Sequence, residues 1–591
     1  MKRNETSRSS LKHRGRLLKR MWQYMGRNRL MIVLAVLLSA ASSLLSLYGP
    51  KLSGQAINAI TDPNGIDFKV VLTCAAWMAG CYILSAGFSY LLQYVMIRLS
   101  RRVAKQMRHD IFENLTRLPV AYFDNRQVGD IVSVITYDVD TVNQSLAADA
   151  LQILQSTITV VVSLVMMLSI APVLVPVFAV TIPITILFTR WLANRVRPMF
   201  RFRSKKLGEL NGFVEEMLGG QKTVRAYGRE DAVQERFEEK NVEAVNAYTR
   251  AEANGTVTGP SVNFINNVSL ALVCVIGSWL FLKGRIRLGD LSSFVQYSRK
   301  FSGPINEVAN IIAELQSAFA AAERVFALID AEPEAADAAD AKELADVRGE
   351  VEIDRVNFSY DKVRPIITNF SLEAPPGSLI AIVGPTGAGK TTIINLLMRF
   401  YDVDKGEIRV DQQPIRSLTR ASLRKAYAMV LQDTWLFSGT IFDNIAYGKK
   451  DATEAEVVAA AKAAHIHSYI SRLKDGYQTV LYDNGAGISK GQKQLLTIAR
   501  AMLLDANMLI LDEATSNVDT RTEQHIQAAM RELMKNKTCF VIAHRLSTIR
   551  NADNILVMRG GQVVEQGTHD QLMQRPSFYR ELYRAQFESA E

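Results

Sequence analysis

Long runs of apolar residues without charge dominate the first half of the chain. A helix that crosses the hydrocarbon core of a bilayer needs about 20 such residues, because a charge at mid-bilayer costs roughly 3 kcal/mol. The run Ala150–Thr189 is charge-free over about 40 residues, or ~60 Å of helix, and therefore contains two crossings. We place the turn between them near Ala171-Pro172, because proline ends a helix. The other predicted spans are Leu30–Pro50, Val70–Ile97, Val262–Leu282 and a sixth helix from Leu288 towards Ile312.

The sixth predicted helix is interrupted by Arg299 and Lys300. They lie about ten residues, or ~15 Å, beyond the outer end of the helix near Asp290, which is close to the bilayer midplane. Charges at that depth almost always face protein or water, so we expect at least one of them to line a cavity. Pairing with an acidic group of a partner and snorkelling to the headgroups are the alternatives. The candidate polar neighbours in the fifth helix are Asn263, Asn266 and Asn267.

Basic residues cluster before the first predicted helix, after the second and after the fourth. Membrane proteins keep Lys and Arg on the cytoplasmic side, so these segments and both termini are placed there, including the basic segment 1–29. Lys283, Arg285 and Arg287 fall on the outer side, against this rule. The net charge of +10 thus reflects membrane topology rather than a nucleic-acid groove, and no nucleic-acid partner is predicted.

A shift in composition separates this half from a soluble half. Residues 330–346 are rich in Ala, Asp and Glu, which predicts a linker between a transmembrane domain, 30–329, and a soluble domain, 347–591. The four cysteines lie in apolar stretches, without the spacing of a zinc site or a disulfide framework.

A glycine-rich loop follows a predicted buried strand, Leu379–Val383, in the soluble half. The loop has the GxxxxGKT pattern in its strand–loop–helix context, which predicts that backbone N–H groups close around the phosphates of ATP. Lys390 is expected to meet the β- and γ-phosphates, and Thr391 to offer its hydroxyl to Mg²⁺. The predicted phosphate-binding residues are Gly384, Pro385, Thr386, Gly387, Ala388, Gly389, Lys390, Thr391 and Thr392.

Two further predicted strands end in chemically active residues. Met508–Leu511 is followed by Asp512, a magnesium ligand in this interpretation, and by Glu513, which would orient or deprotonate water. Cys539–Ala543 is followed by His544. An open α/β sheet binds its ligand at the carboxyl ends of its strands, so the three motifs support one another.

With these motifs in place, the whole chain resembles an exporter-type ABC transporter half, similar to multidrug exporters. The fold implied is an all-α six-helix transmembrane domain followed by an α/β P-loop NTPase domain. By this resemblance Tyr360 stacks on adenine, His544 touches the γ-phosphate, and Gln432 reaches Mg²⁺ and the attacking water. Ser516–Asp519 resembles the loop that crosses to the partner domain. Ile488–Gln492 occupies the place of the family signature, whose Ser489, Gly491 and Gln492, with Asp519, would bind ATP across the dimer.

The resemblance extends into the membrane half. Tyr122-Phe123-Asp124 with Gly129-Asp130, and Glu215-Glu216 through Val224–Glu230, resemble the two cytoplasmic loops whose short coupling helices press on the nucleotide domains. Ala320–Phe326 resembles the exit from the sixth helix.

The signature departs from the family pattern at one position. The third residue, usually glycine, is Lys490, whose side chain and more restricted backbone are expected to impair that site. Lys390, Gln432, Asp512, Glu513 and His544 are nevertheless all present. A heterodimer with a second ABC half-transporter, with one consensus and one degenerate ATP site, follows most simply. A homodimer with two weakened sites is the alternative.

The expected function is ATP-driven export of amphipathic or drug-like compounds, or of lipids, through a bacterial inner or plasma membrane. An ATP-gated channel or regulatory membrane subunit is the alternative in a different class, and Glu513 argues against it. Peptide and metal-chelate cargo also stay open, because six spans and an ATPase do not specify cargo.

Overall fold

The computed structural model describes residues 15–63, 65–432, 434–482, 484–485, 487–512, 519–543 and 549–587. The chain forms two compact units. The helical unit contains the residues up to Arg117 and Gln127–Glu332. The sheet unit contains Leu118–Arg126 and Pro333–Glu591.

Long helices make up the helical unit, and the predicted break between the third and fourth spans is confirmed. Helix α7 ends at Ile170, Ala171 leaves helical geometry with φ −151°, and a 3₁₀ turn at Pro172–Leu174 precedes α8. Two π-helical turns, Val134–Asp138 and Ser145–Asp149, join α5, α6 and α7. The helices are α1 (15–26), α2 (Arg29–Ile60), α3 (Phe68–Leu115), α5 (Val128–Ser133), α6 (Val139–Gln144), α7 (Ala150–Ile170), α8 (Pro176–Gly219), α9 (Gln221–Ala226), α10 (Glu230–Thr256), α11 (Thr258–Leu282) and α12 (Leu288–Ile329). Helix α4 (Val120–Asp124) belongs to the sheet unit.

Five stretches of the described residues are long and apolar enough to cross a membrane: Arg29–Ile60, Phe68–Leu115, Val128–Ile170, Pro172–Gly219 and Glu230–Leu282. Helix α12 is not among them, and it carries Asp290, Arg299 and Lys300 in its first half. Its aromatic residues nevertheless form the core of the unit, where the ring of Phe178 contacts those of Phe294 and Phe301 at centroid distances of 6.3 and 5.8 Å.

Polar contacts join the second half of α2 to the first half of α12. The Tyr297 hydroxyl donates to the carbonyl of Leu47 at 2.6 Å, and the Ser293 hydroxyl donates to that of Pro50 at 2.8 Å. The ammonium of Lys300 donates to the carbonyl and hydroxyl oxygens of Ser46 at 3.1 and 3.0 Å. Lys300 therefore contacts α2 of its own chain.

In the sheet unit, a six-stranded sheet in the order β12-β11-β3-β10-β9-β6 is parallel except for β12. Alternate residues of its strands enter two hydrophobic cores, one on each face, which explains the continuously apolar strands read from the sequence. A second sheet, β2-β1-β4-β5, is antiparallel, and β7 pairs with β8. The strands are β1 (Val351–Phe358), β2 (Ile367–Ala374), β3 (Leu379–Val383), β4 (Lys405–Val410), β5 (Gln413–Pro414), β6 (Tyr427–Val430), β7 (Gly439–Thr440), β8 (Val480–Leu481), β9 (Met508–Asp512), β10 (Thr538–Ile542), β11 (Asn554–Arg559) and β12 (Gln562–Gly567).

The helices of the sheet unit are short and connect these strands. Beyond α12 they are α13 (Lys390–Leu397), α14 (Arg420–Lys425), α15 (Ile441–Ala446), α16 (Glu454–Ala463), α17 (His467–Ile470), α18 (Lys490–Leu504), α19 (Thr520–Met534), α20 (His569–Met573) and α21 (Phe578–Phe587).

Candidate nucleotide-binding site

The sheet register brings the predicted site motifs to one edge. Ile542 of β10 pairs with Ile382 of β3 on one side and with Asp512 of β9 on the other, so the ends of these three strands are level. The glycine-rich loop follows β3, and Gln432 lies two residues beyond β6, the strand next to β9. Glu513 and His544 lie outside the described residues, directly after Asp512 and two residues after Ile542.

The glycine-rich loop needs glycine at defined positions. Gly387 and Gly389 have φ of +80° and +100°, values that side-chain-bearing residues rarely adopt. A Cβ at Gly389 would also lie 2.9 Å from Ile367 Cδ1, whereas one at Gly387 would meet nothing within 4 Å. Gly387 therefore leaves open space at an exposed turn, together with exposed Pro385 and Thr386. Ala388 is buried under the loop.

Lys390 begins helix α13, with its ammonium turned onto the loop. Its Nζ donates to the carbonyls of Gly384 at 2.7 Å and Pro385 at 3.0 Å. Burial lowers the pKa of Lys390, and the nearby Asp512 carboxylate opposes that shift. A half-buried ammonium group that donates to carbonyls of its own glycine-rich loop is suited to binding an anion. The loop and its lysine thus fit a phosphate group.

Tyr360 is held next to this loop by helix α13. Its hydroxyl donates to the Thr392 hydroxyl at 3.2 Å and accepts from the Asn395 amide at 3.2 Å. Thr392 is buried, whereas Thr391 beside it is exposed. The Tyr360 side chain is 46% exposed, which leaves ring surface for a planar base to stack on.

The predicted magnesium ligands Thr391, Gln432 and Asp512 contain a single carboxylate. No group of three or more His, Cys, Asp or Glu residues that could hold a metal occurs within the described part of the chain. This donor set fits Mg²⁺, which proteins bind through one or two carboxylates together with substrate phosphates and water.

The signature residues form the start of helix α18. The Ser489 hydroxyl accepts from the Gln492 backbone N–H at 3.3 Å, and the Gln492 side chain accepts from the Ser489 N–H at 3.1 Å, which makes a capping box. Lys490 is the first helical residue and is exposed, Gly491 is buried, and neither has a positive φ. Helical geometry is open to any residue, so a lysine is accommodated here without backbone strain, and the predicted impairment of this site stays a prediction. What Lys490 changes is the side chain.

Asp519 is the N-cap of helix α19 and is exposed. Its carboxylate accepts from the Thr522 N–H at 2.9 Å, and the donors of Thr522 lower the pKa of Asp519. The predicted role of Asp519 at a partner's ATP stays a prediction. Its observed contact is this cap.

Two residues that sequence reasoning missed connect to the site. Arg500 of α18 donates to the carbonyls of Asn444 at 2.8 Å and Trp435 at 3.2 Å, which ties α18 to the segment after Gln432. Burial lowers the pKa of Arg500. Tyr401 contacts Tyr360 and donates to Asp124 of α4. Arg500 could have been noticed in the sequence, because it is an arginine among the apolar residues of α18. Nothing in the sequence pattern links Tyr401 to Asp124.

Comparison with known proteins supports the same interpretation. The family model for the ABC transporter transmembrane region matches residues 32–305, and that for the ABC transporter matches residues 367–516. The chain is 41% identical to an uncharacterized ABC transporter ATP-binding protein of Bacillus subtilis, with 97% of this chain and 94% of the relative covered. It is 43% identical to a fatty acid ABC transporter ATP-binding/permease protein of Mycobacterium tuberculosis, with 88% and 82% covered.

More distant similarities cover nearly the whole chain. An ATP-dependent lipid A-core flippase of Nitrosococcus oceani is 34% identical, with 94% of this chain and 92% of the flippase covered. The structure of a bacterial Atm1-family ABC exporter with ATP bound superimposes with a TM-score of 0.76 at 31% identity, covering 95% of this chain and 98% of that one. The chain therefore belongs to the ABC transporters: it is a multi-pass integral membrane protein of the exporter type that binds ATP and couples ATP hydrolysis to transport.

Proposed function

We propose that this chain exports an amphipathic compound as one subunit of a heterodimer with one consensus and one degenerate ATP site. The observation that carries the proposal is the combination of Lys490 in the signature with a full set of hydrolytic residues elsewhere in the same chain. In a head-to-tail dimer, ATP on this chain would meet the partner's signature, and Lys490 would face the partner's ATP.

The roles at this chain's own ATP rest on residue chemistry together with the resemblance to the ABC transporter family. Glu513 would take the proton of the attacking water, and His544 would contact the γ-phosphate. Thr391, Gln432 and Asp512 would hold Mg²⁺, which neutralises charge on the phosphates when bound. Tyr360 would stack on adenine with its exposed ring face. The open side of Gly387 lets backbone N–H groups approach the phosphates.

An acyl-chain cargo is favoured by two of the relatives. One is named as a fatty acid transporter and another as a lipid A-core flippase, and both names describe molecules with an apolar part and a polar head. The spanning helices carry exposed apolar side chains that would contact membrane lipids. Leu72, Ile83 and Leu187 are examples.

We place both termini in the cytoplasm, from the distribution of basic residues.

Co-purification followed by sequencing of the associated subunit tests the heterodimer. The partner should have a glycine in the position of Lys490 and should lack a carboxylate base after the aspartate that corresponds to Asp512. A partner with its own glutamate there and an altered signature, or recovery of this chain alone as an active dimer, would contradict the division of labour.

The helical geometry at Lys490 favours a second candidate, a homodimer whose two ATP sites are weakened but still hydrolyse ATP. Because the backbone there is unstrained, the signature helix can form without glycine. Lys490→Gly separates the two candidates. In a heterodimer, ATP hydrolysis at this chain's own catalytic residues should change little, whereas in a homodimer both sites contain the substitution and the total ATPase rate should rise several-fold.

Export is distinguished from an ATP-gated channel by reconstitution. A fluorescent fatty acid placed in sealed vesicles should move against its gradient only with hydrolysable ATP. Movement that stops at equal concentrations on both sides would indicate a channel.

A further inference from the structure

The short segment Leu118–Arg126 lies in the chain between α3 and α5 of the helical unit, yet it belongs to the sheet unit. This segment, named here the coupling segment, contains helix α4, the first of the two predicted coupling helices. A side-chain hydrogen bond connects it to the nucleotide-binding domain: the Tyr401 hydroxyl donates to Asp124 Oδ2 at 2.6 Å. A short bond from a hydroxyl to a carboxylate is among the stronger hydrogen bonds in proteins.

Tyr401 is also part of an aromatic cluster with Phe358 and Tyr360. The rings of Tyr401 and Tyr360 meet edge to face at a centroid distance of 4.9 Å and an angle of 87°. Phe358 contacts both rings in the same manner, at 5.6 and 4.8 Å. Each ring therefore limits the orientations that its neighbours can adopt.

The cluster is anchored to the phosphate-binding helix at its other end, because the Tyr360 hydroxyl is bonded to Thr392 and Asn395 of α13. A continuous series of contacts thus runs from α13 through Tyr360 and Tyr401 to Asp124. Burial and the bond to Asp124 raise the pKa of Tyr401, so the phenol keeps its proton at physiological pH and the bond persists.

We infer that Tyr401 is a positioning residue that connects occupancy of the adenine site to the coupling segment. A base stacked on Tyr360 restricts that ring, the ring restricts Tyr401, and the hydroxyl of Tyr401 then holds Asp124 more firmly. Linkage is reciprocal, so loss of the Asp124 bond must also weaken nucleotide binding by the same factor. The inference depends on ATP binding by this chain and on Tyr360 as the adenine contact, and not on the cargo or the partner proposed above.

Hydrogen–deuterium exchange of the purified full-length transporter in lipid nanodiscs tests this inference without knowledge of the cargo. A non-hydrolysable ATP analogue should slow amide exchange in residues 118–126 by about fivefold, the lower end of typical coupling between sites. Inorganic tripolyphosphate, which supplies phosphates without a base, should not slow exchange there. Equal protection by both ligands would overturn the inference, since the signal would then come from the phosphate loop.

The variants Tyr401→Phe and Asp124→Ala should both abolish the protection and raise the dissociation constant of the ATP analogue by the same factor. The double variant should bind the ATP analogue no more weakly than either single variant, because each single variant and the double variant remove the same Tyr401–Asp124 hydrogen bond. Asp124→Asn should restore part of the effect, since an amide oxygen also accepts a hydrogen bond. Should Tyr401→Phe fail to assemble, the exposed Asp124 variants decide the question, because they leave the aromatic cluster intact.

Tyr122→Phe is the matched control. In the wild-type protein the Tyr122 hydroxyl lies on α4, as Asp124 does, and it accepts a hydrogen bond from Arg126 at 2.6 Å, within the coupling segment itself. This variant should keep both the protection and the wild-type dissociation constant of the ATP analogue. If Tyr401→Phe behaves like Tyr122→Phe, or if the effects of Tyr401→Phe and Asp124→Ala add, then Tyr401 is not a link to the coupling segment.

Discussion

The substitution Gly387→Ala separates the cost of the loop's backbone from the cost of losing a phosphate contact. Gly387 has φ +80°, so an alanine there costs about 1–2 kcal/mol of backbone strain. Its Cβ would meet no atom within 4 Å, so no packing term is added in the nucleotide-free protein. The same open space is where a phosphate would lie if the predicted site is correct. The methyl group would hold the phosphate away from the backbone N–H groups.

We therefore expect Gly387→Ala to lower stability modestly but to weaken ATP binding at least about tenfold, or ~1.4 kcal/mol. The matched control is Gly476→Ala in the same unit, where φ is +53° and a Cβ likewise meets nothing within 4 Å. It should incur a similar loss of stability while ATP affinity stays unchanged. Thermal unfolding measures the first quantity, and titration with a fluorescent nucleotide measures the second. Equal ATP affinities in the two variants would refute the placement of phosphate at Gly387.

Three further substitutions test named roles. Glu513→Gln should leave ATP binding intact and nearly abolish turnover, and activity within a factor of two of wild type would contradict its role as base. Lys390→Ala should weaken ATP binding itself about tenfold or more, because a charge-assisted contact to phosphate is lost; an unchanged dissociation constant would rule this out. Arg500→Lys should lower kcat several-fold with a smaller change in ATP affinity, because two different nitrogens of the planar guanidinium bond the carbonyls of Asn444 and Trp435, and a single ammonium nitrogen does not reproduce that geometry. Equal losses of kcat and ATP affinity in Arg500→Lys would indicate a general folding defect and would contradict this role.

The elements of the soluble half were predictable because their patterns are local. Strands β3, β9 and β10 are continuous apolar runs, and such runs indicate strands buried on both faces of a parallel sheet. The chemically active residues Glu513 and His544 follow the last residues of β9 and β10 by one and two positions in the sequence. Neighbouring parallel strands end at the same edge, so the convergence of the motifs followed from fold class alone. The break at Ala171 was equally local, since proline determines it.

Contacts between distant segments were not predictable in this way. Tyr401 and Asp124 are separated by 277 residues, and neither lies in a pattern that indicates the other. The conformation at Lys490 was not predictable from the signature pattern either, because the pattern does not say whether its third residue is helical. The structure places Lys490 at the start of helix α18 with ordinary helical geometry.

Arg299 and Lys300 need different explanations although they are adjacent in sequence. Pro50 lies inside α2 and has no N–H, so the carbonyl of Ser46, four residues earlier, loses its helical partner. The ammonium of Lys300 donates to that carbonyl and to the Ser46 hydroxyl, while Arg299 is exposed. A lysine deep in the predicted membrane region is thus accounted for by the proline in the facing helix, and Arg299 is the better candidate for cargo contact.

We expect Lys300→Met to destabilise the helical unit by about 1–3 kcal/mol, because it leaves the Ser46 carbonyl without a donor. Lys300→Gln keeps an N–H donor and should lose less. Arg299→Gln, the control at the adjacent position, should leave the thermal unfolding temperature unchanged and alter the cargo preference of transport. The bond matters because without it α2 would be held to α12 by fewer contacts at the point where proline weakens the helix. Wild-type stability in Lys300→Met, together with altered cargo preference, would instead return Lys300 to the transport path.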